Sequence, residues 1–226
     1  MMNIGLKVWN WCRRFRKRCG YGVHSPSDFY LITFVVYEKL PYYAYAPLKE
    51  LRGQVQQLSH YREKVDKLLF RLVNHLRPSL LLEVGTGSGL STCYMASGNQ
   101  QMDVLTADLP CNPTVMKMIE AYPRVAYKEI GCEELATEWE KKKDSKVMVH
   151  IAHTPHYKEA YEALLPLVDE RTCFVIGSPY ANKEKKKWWK EVIADPRTGV
   201  TFDMYDIGLI FFDKKRIKEH RVVNFL

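Results

Sequence analysis

An α/β fold built on a mostly parallel sheet, with added N-terminal helices, is what the 226-residue sequence predicts. Three observations lead there. From Ser79 onward, short β-rich runs alternate with helical stretches of about 10 to 15 residues, the pattern of strand–helix–strand units. A glycine-rich turn, EVGTGSG, closes the first of those runs. The last two runs, VTFDMYDI and GLIFFDK, meet at Ile207-Gly208 with no room for a helical crossover, so they pair antiparallel.

Pro26, Pro41, Pro47 and Pro78 punctuate the first third, which reads as helices from Ile4 to Lys17, from Pro26 to Lys39 and from Leu48 to Leu76. In the first of these, Ile4, Val8, Trp11, Cys12 and Phe15 share a face at the helical period, and Lys7, Arg14, Arg16 and Arg18 lie elsewhere. Such a basic amphipathic helix is expected to dock on its own domain or on a second subunit of a homodimer, ahead of an anionic membrane or nucleic acid. The strands that follow are LLLEV, DVLTA, RVAYKEI, KVMVHIA and TCFVIG, with helices starting near Ser88, Asn112, Cys132, Pro155 and Asn182. Right-handed crossovers place those helices on both faces, giving a Rossmann-like three-layer sandwich of seven strands with the last one antiparallel. Residues 1–78 are expected to form a helical cap and residues 79–226 the ligand-binding domain.

Hydrophobic residues make up 46% of the chain, enough for one sizeable core and too short a chain for two full domains. A net charge of +8 attracts anionic partners in general without singling out nucleic acid. The 6 cysteines form no C-x-x-C pair, which argues against a zinc ribbon or a thioredoxin motif and for small buried hydrophobes in a reducing compartment. The opening MMNIGLKVWNWCRRFRKRC lacks the continuous apolar centre of a signal peptide, and YLITFVVY is too short to span a bilayer. A cytoplasmic location is expected.

Gly85, Gly87 and Gly89 occupy the first strand-to-helix turn, where the backbone of an open parallel sheet approaches its ligand. Their G-x-G-x-G spacing differs from the dinucleotide G-x-G-x-x-G and from a phosphate-binding P-loop. Glu83, just before them, would repel a pyrophosphate and could hold an ammonium group. Asp108 ends the second strand, roughly 20 residues on, the spacing from which an acid accepts hydrogen bonds from ribose hydroxyls. A ribose joined to a cationic amino-acid end, without phosphate, describes S-adenosylmethionine better than NAD.

On these residues the chain resembles the class I S-adenosylmethionine-dependent methyltransferases, whose first two motifs look like EVGTGSG and the Asp of LTAD. YGVHSPSDFYLIT, LPYYAYAPLKELR and the ending TFDMYDIGLIFFDKKRIKEH resemble more closely a bacterial group of small methyltransferases related to the catechol-type O-methyltransferases. The resemblance implies that Gly85, Thr86, Gly87, Ser88 and Gly89 line the cofactor and that Glu83 faces its amino-acid end. It further implies that Asp108 meets the ribose and that Cys132 and Glu133 lie near the adenine.

The family pattern also implies carboxylates after the fourth and fifth strands, which in catechol-type members bind a divalent cation. Here IAHTPHY and VIGSPY put Ala152, Pro155, Gly177 and Ser178 at those positions, so no catalytic metal is expected. His153 and Tyr180 are the candidate catalytic residues in their place, His153 as a general base, whereas His150 within the strand reads as buried structure. KKWWK reads as a helix with Trp189, Val192 and Ile193 inward and its lysines solvated, ahead of a nucleic-acid surface. The expected activity is methyl transfer to an oxygen or nitrogen of a small molecule. The alternative is a degenerate cofactor-binding or interaction module working through the basic N-terminal helix.

Overall fold

The computed structural model describes residues 9, 11–142 and 144–225. Among them, strands β1 (Leu80–Val84), β2 (Asp103–Ala107), β3 (Val125–Lys128), β4 (Val147–Ile151), β5 (Cys173–Gly177), β6 (Thr201–Asp203), β7 (Ile207–Phe211) and β8 (His220–Val222) form one sheet. Its order is β3-β2-β1-β4-β5-β7-β6-β8. Only β7 runs antiparallel, against both β5 and β6. The Rossmann-like α/β architecture is therefore as expected, with two differences. The hairpin turns at Met204–Asp206, before the expected Ile207-Gly208 junction, and an eighth strand, β8, adds parallel to β6. Three residues with two of them charged or titratable carry too little alternation for β8 to be read from sequence.

Every residue of β1, β4 and β5 is buried, as continuous apolar runs covered on both faces require. The helices that alternate with the strands are α4 (Leu90–Gly98), α5 (Pro113–Ile119), α6 (Cys132–Glu140), α7 (Tyr157–Leu164) and α8 (Lys183–Ala194). Asn112 and Asn182 cap α5 and α8, their side chains accepting from Thr114 N at 2.9 Å and Lys185 N at 2.7 Å. On α8, Trp188, Trp189 and Val192 face inward. Lys185 does too, at 2% exposure, so the expectation of a wholly solvated lysine face fails at that position.

The N-terminal region differs more. Of the expected Ile4 to Lys17 helix, Ile4, Lys7 and Val8 lie outside the described residues; Trp11–Arg13 is helical and the chain then turns, Phe15 N bonding Cys12 O at 3.2 Å. The second helix is α-helical over Pro26–Tyr30 (α1) and π-helical over Leu31–Val36. The expected Leu48 to Leu76 helix is two, Tyr45–Gln54 (α2) and Glu63–Leu76 (α3). Gly53 weakens the helix just before the break, and Val55 buries itself in the turn, so residues 55–62 cross towards the sheet edge. Leu31, Ile32, Val35 and Val36 share a core with Leu68, Leu69 and Leu72 of α3 and with Leu209 of β7. Full burial of such a side chain contributes about 1.5–3 kcal/mol, which holds the N-terminal helices against the sheet.

Candidate functional site

The sheet order reverses between β1 and β4, which opens a crevice beyond the carboxyl ends of these strands. The loop between β1 and α4 faces it with Gly85, Gly87 and Gly89 at φ +87°, +56° and +70°, a region closed to most side chains. A Cβ on Gly85 would lie 2.9 Å from Thr154 Cβ, and one on Gly89 2.6 Å from Val115 Cγ1. Gly85, Thr86, Gly87 and Ser88 line a cavity of about 1130 Å³. Gly89 sits behind them as the cap of α4.

Asp108 Oδ2 accepts from Gly87 N at 3.1 Å and its Oδ1 from Leu109 N at 3.2 Å, so this carboxylate is fixed at the lip of the loop. Glu83 lies elsewhere, at 0% exposure beneath the loop. Its Oε1 meets Ser91 Oγ at 3.2 Å and His150 Nδ1 at 2.8 Å, and its Oε2 accepts from Thr92 and, at 2.7 Å, from Thr106. Thr86 extends this network, 2.6 Å from Thr106. Glu83 therefore meets the cavity lining directly at Ser91, and at one remove at Thr86 through Thr106 and at Tyr61 through His150. Cys132 and Glu133 begin α6 and are not among the cavity-lining residues; burial pushes the Cys132 thiol up, with Glu159 and Glu133 adding to it.

The opposite wall comes from the ends of β4 and β5, the β6–β7 turn and residues 59–62. Ala152 and Ser178 stand there, and Gly177 is buried behind. A Cβ on Gly177 would be 1.9 Å from the Tyr61 hydroxyl, so Tyr61 fills the space in which a side chain at the end of β5 would stand. Among the described residues no three histidine, cysteine, aspartate or glutamate side chains form a metal-binding group. The donors left on this wall do not suit a magnesium ion, which needs several hard oxygens.

His153 lines the cavity; partial desolvation by the surrounding protein, and then the charge of Lys185, pull it below the usual imidazole range. His156 lies outside the cavity lining, 3.3 Å from Glu159. Tyr180 lines the cavity, but its hydroxyl donates to Asp203 and accepts from Arg14 at 3.3 Å. Burial and then the Asp203 charge hold its phenol above the usual range. Tyr180 stacks on Tyr205 at 4.8 Å, and the Arg14 guanidinium lies 5.5 and 5.4 Å from the two ring centroids. Arg14 also pairs with Asp203 at 2.9 Å, bringing the N-terminal segment to the cavity edge.

Sequence reasoning passed over Tyr61, Arg62 and Asp206. Arg62 and Asp206 pair across the cavity rim, and Tyr61 follows the helix break that periodicity read as continuous helix. A reading of that break was the one signal that could have brought Tyr61 forward.

No protein-family model matches the chain and no curated protein matches it. Solved structures do. A Staphylococcus aureus protein assigned as a caffeoyl-CoA O-methyltransferase is 18% identical, with a TM-score of 0.60 over 82% of this chain and 98% of its own. An O-methyltransferase from Bacillus cereus, in complex with S-adenosylhomocysteine (SAH), is 18% identical, with a TM-score of 0.57 over 83% and 97%. TomG from Streptomyces achromogenes, an O-methyltransferase of tomaymycin synthesis in complex with S-adenosylmethionine (SAM), is 14% identical, with a TM-score of 0.59 over 79% and 93%. The chain has the fold of these O-methyltransferases. Among the described residues no helix is long and apolar enough to cross a membrane.

Proposed function

We propose that the chain is an S-adenosylmethionine-dependent methyltransferase acting on an oxygen or nitrogen of a small acceptor, without a catalytic divalent metal. The observation that carries this reading is the glycine loop, held at positive φ against the cavity and tied to Asp108 through Gly87. The cofactor-bound neighbours of the same fold add to it.

Gly85 to Ser88 would pass along the cofactor, with backbone close enough for contact at Gly85 and Gly87, where no Cβ intervenes. Asp108 would accept from the ribose hydroxyls, already oriented by two backbone amides. Ser91 would carry the influence of the buried Glu83 to the cofactor's ammonium end. When bound, S-adenosylmethionine supplies a methyl group on a positively charged sulfur. The protein's part is then positioning: in-line attack needs the acceptor aligned and water excluded, and alignment alone can be worth several kcal/mol. A cavity of about 1130 Å³ leaves room for an acceptor beside the cofactor.

Calorimetric titration tests this. Saturable binding of S-adenosylmethionine and none of NAD is expected, and Asp108→Ala should weaken the binding about 10- to 100-fold, the worth of hydrogen bonds to a charged group. Failure of the wild-type protein to bind S-adenosylmethionine would sink the reading and favour an interaction module.

A further inference from the structure

Removing the metal-site acids leaves a chemical gap. A neutral hydroxyl is a poor nucleophile, and without a cation to acidify it some group must take its proton as the new bond forms. His153 lines the cavity, yet among the described residues no side chain orients it, and a general base is ordinarily held by a third group.

One chain of side chains does have that organisation. Tyr61 lines the cavity, and its hydroxyl lies 3.3 Å from His150 Nε2. That is at the long end for a hydroxyl donor, a separation common in catalytic hydrogen bonds before substrate binds. His150 Nδ1 is 2.8 Å from Glu83 Oε1. Both His150 and Glu83 are at 0% exposure. With a carboxylate on Nδ1, the imidazole carries its proton there and presents Nε2 as an acceptor to Tyr61. The phenolic oxygen keeps acceptor capacity after donating to His150. Tyr61 is itself fixed by its backbone carbonyl, which accepts from Arg52 at 2.9 Å, and Arg52 pairs with the buried Asp66.

We propose that Tyr61 accepts the proton of a neutral hydroxyl acceptor, with His150 and Glu83 as the positioning residues of a relay behind it; this rests on the methyltransferase reading above. As the acceptor oxygen bonds to the methyl carbon, the carbon–sulfur bond breaks and its electron pair stays on sulfur. The hydroxyl proton moves to Tyr61 Oη while the Tyr61 proton moves to His150 Nε2. The resulting imidazolium is held by the Glu83 carboxylate, and the proton returns through Tyr61 to solvent once the product has left. Burial, followed by the negative charges of Glu83 and Asp66, holds the Tyr61 phenol well above its ordinary range. It does not ionise alone, so it works as a neutral shuttle that gains one proton as it loses another. Gly177 completes the device, because any side chain there would occupy the position of the hydroxyl.

Tyr61→Phe in the full-length protein tests the relay with two methyl acceptors, catechol, which is protonated at neutral pH, and 4-nitrothiophenol, which is already ionised. The variant should lose about 10²- to 10³-fold in kcat on catechol and only a few-fold on the thiolate, the worth of a general base. KM and S-adenosylmethionine affinity should stay within about twofold, since no binding group is removed. Nitrogen NMR of the protein without cofactor should find His150 protonated at Nδ1, with a shift at Nε2 alone in Tyr61→Phe. Equal losses on both acceptors, unchanged catechol turnover, or an Nε2-protonated His150 would overturn the proposal. So would a wild-type protein that binds S-adenosylmethionine and methylates neither probe. Absence of S-adenosylmethionine binding overturns the methyltransferase reading instead, and calorimetry reads it separately.

Discussion

The carboxyl end of β1, tied to that of β2 through Asp108, and those of β4 and β5 meet at one cavity but are built on different principles. The first pair works through backbone: three glycines at positive φ, with the Asp108 carboxylate bonded to the amide of Gly87, all between Glu83 and Asp108. The second works through side chains drawn from distant segments, with Arg14 meeting Tyr180 and Tyr205, Arg62 meeting Asp206 and Tyr61 meeting His150. The difference teaches where such a site can change. A backbone cradle tolerates almost no substitution, whereas in a wall of side chains the space beside one position can be filled by a tyrosine from a distant helix boundary.

Placing an acid in the second region, at the end of β5, is the most direct way to break that contrast. Gly177→Asp puts a Cβ 1.9 Å from the Tyr61 hydroxyl and a carboxylate into a buried position. Overpacking and an uncompensated buried charge add, so urea unfolding should show a loss of at least about 4 kcal/mol. Arg14→Ala probes the same wall from the N-terminal side. It leaves Asp203, at 3% side-chain exposure, without its cation, and should cost about 3 kcal/mol by the same measurement while S-adenosylmethionine affinity holds.

The smallest effect sharpens the comparison through pH. Burial pushes the Asp66 carboxyl up to about 7, against the opposing pull of Arg52. The folded chain thus holds this proton to a higher pH than the unfolded chain, so its contribution is present at low pH and is lost as pH rises towards 7. Stability of the wild-type protein should fall relative to Asp66→Asn between pH 5 and 7, by about 1–2 kcal/mol in unfolding free energy. A flat difference between the two proteins would mean that burial does not hold the proton on Asp66 in the folded chain.

The first region was legible because its information is local. EVGTGSG and the Asp of LTAD announce turn, backbone approach and carboxylate within one strand–helix–strand unit, and the sheet follows from alternating apolar runs. Glu83 shows the limit even there: spacing located it, but its burial under Thr92, Thr106 and His150 depends on packing that spacing does not encode. Cys132 and Glu133 were placed at the start of their helix correctly, yet that position does not bring them into the lining of the cavity. Tyr61 was hidden by a helix break within an otherwise periodic stretch, and Lys185 by a charged run whose burial only the surrounding helices determine.

The pairing of Arg14 with Asp203 spans 189 positions, and this has a bearing on how the protein is made. A ribosome delivers residues from the N-terminus onward, so the glycine loop and its strands emerge well before Asp203 does. Contacts so distant along the chain are slow to form. The cradle can therefore be assembled while the far wall is still missing, and closing that wall becomes one of the last events in the birth of the molecule.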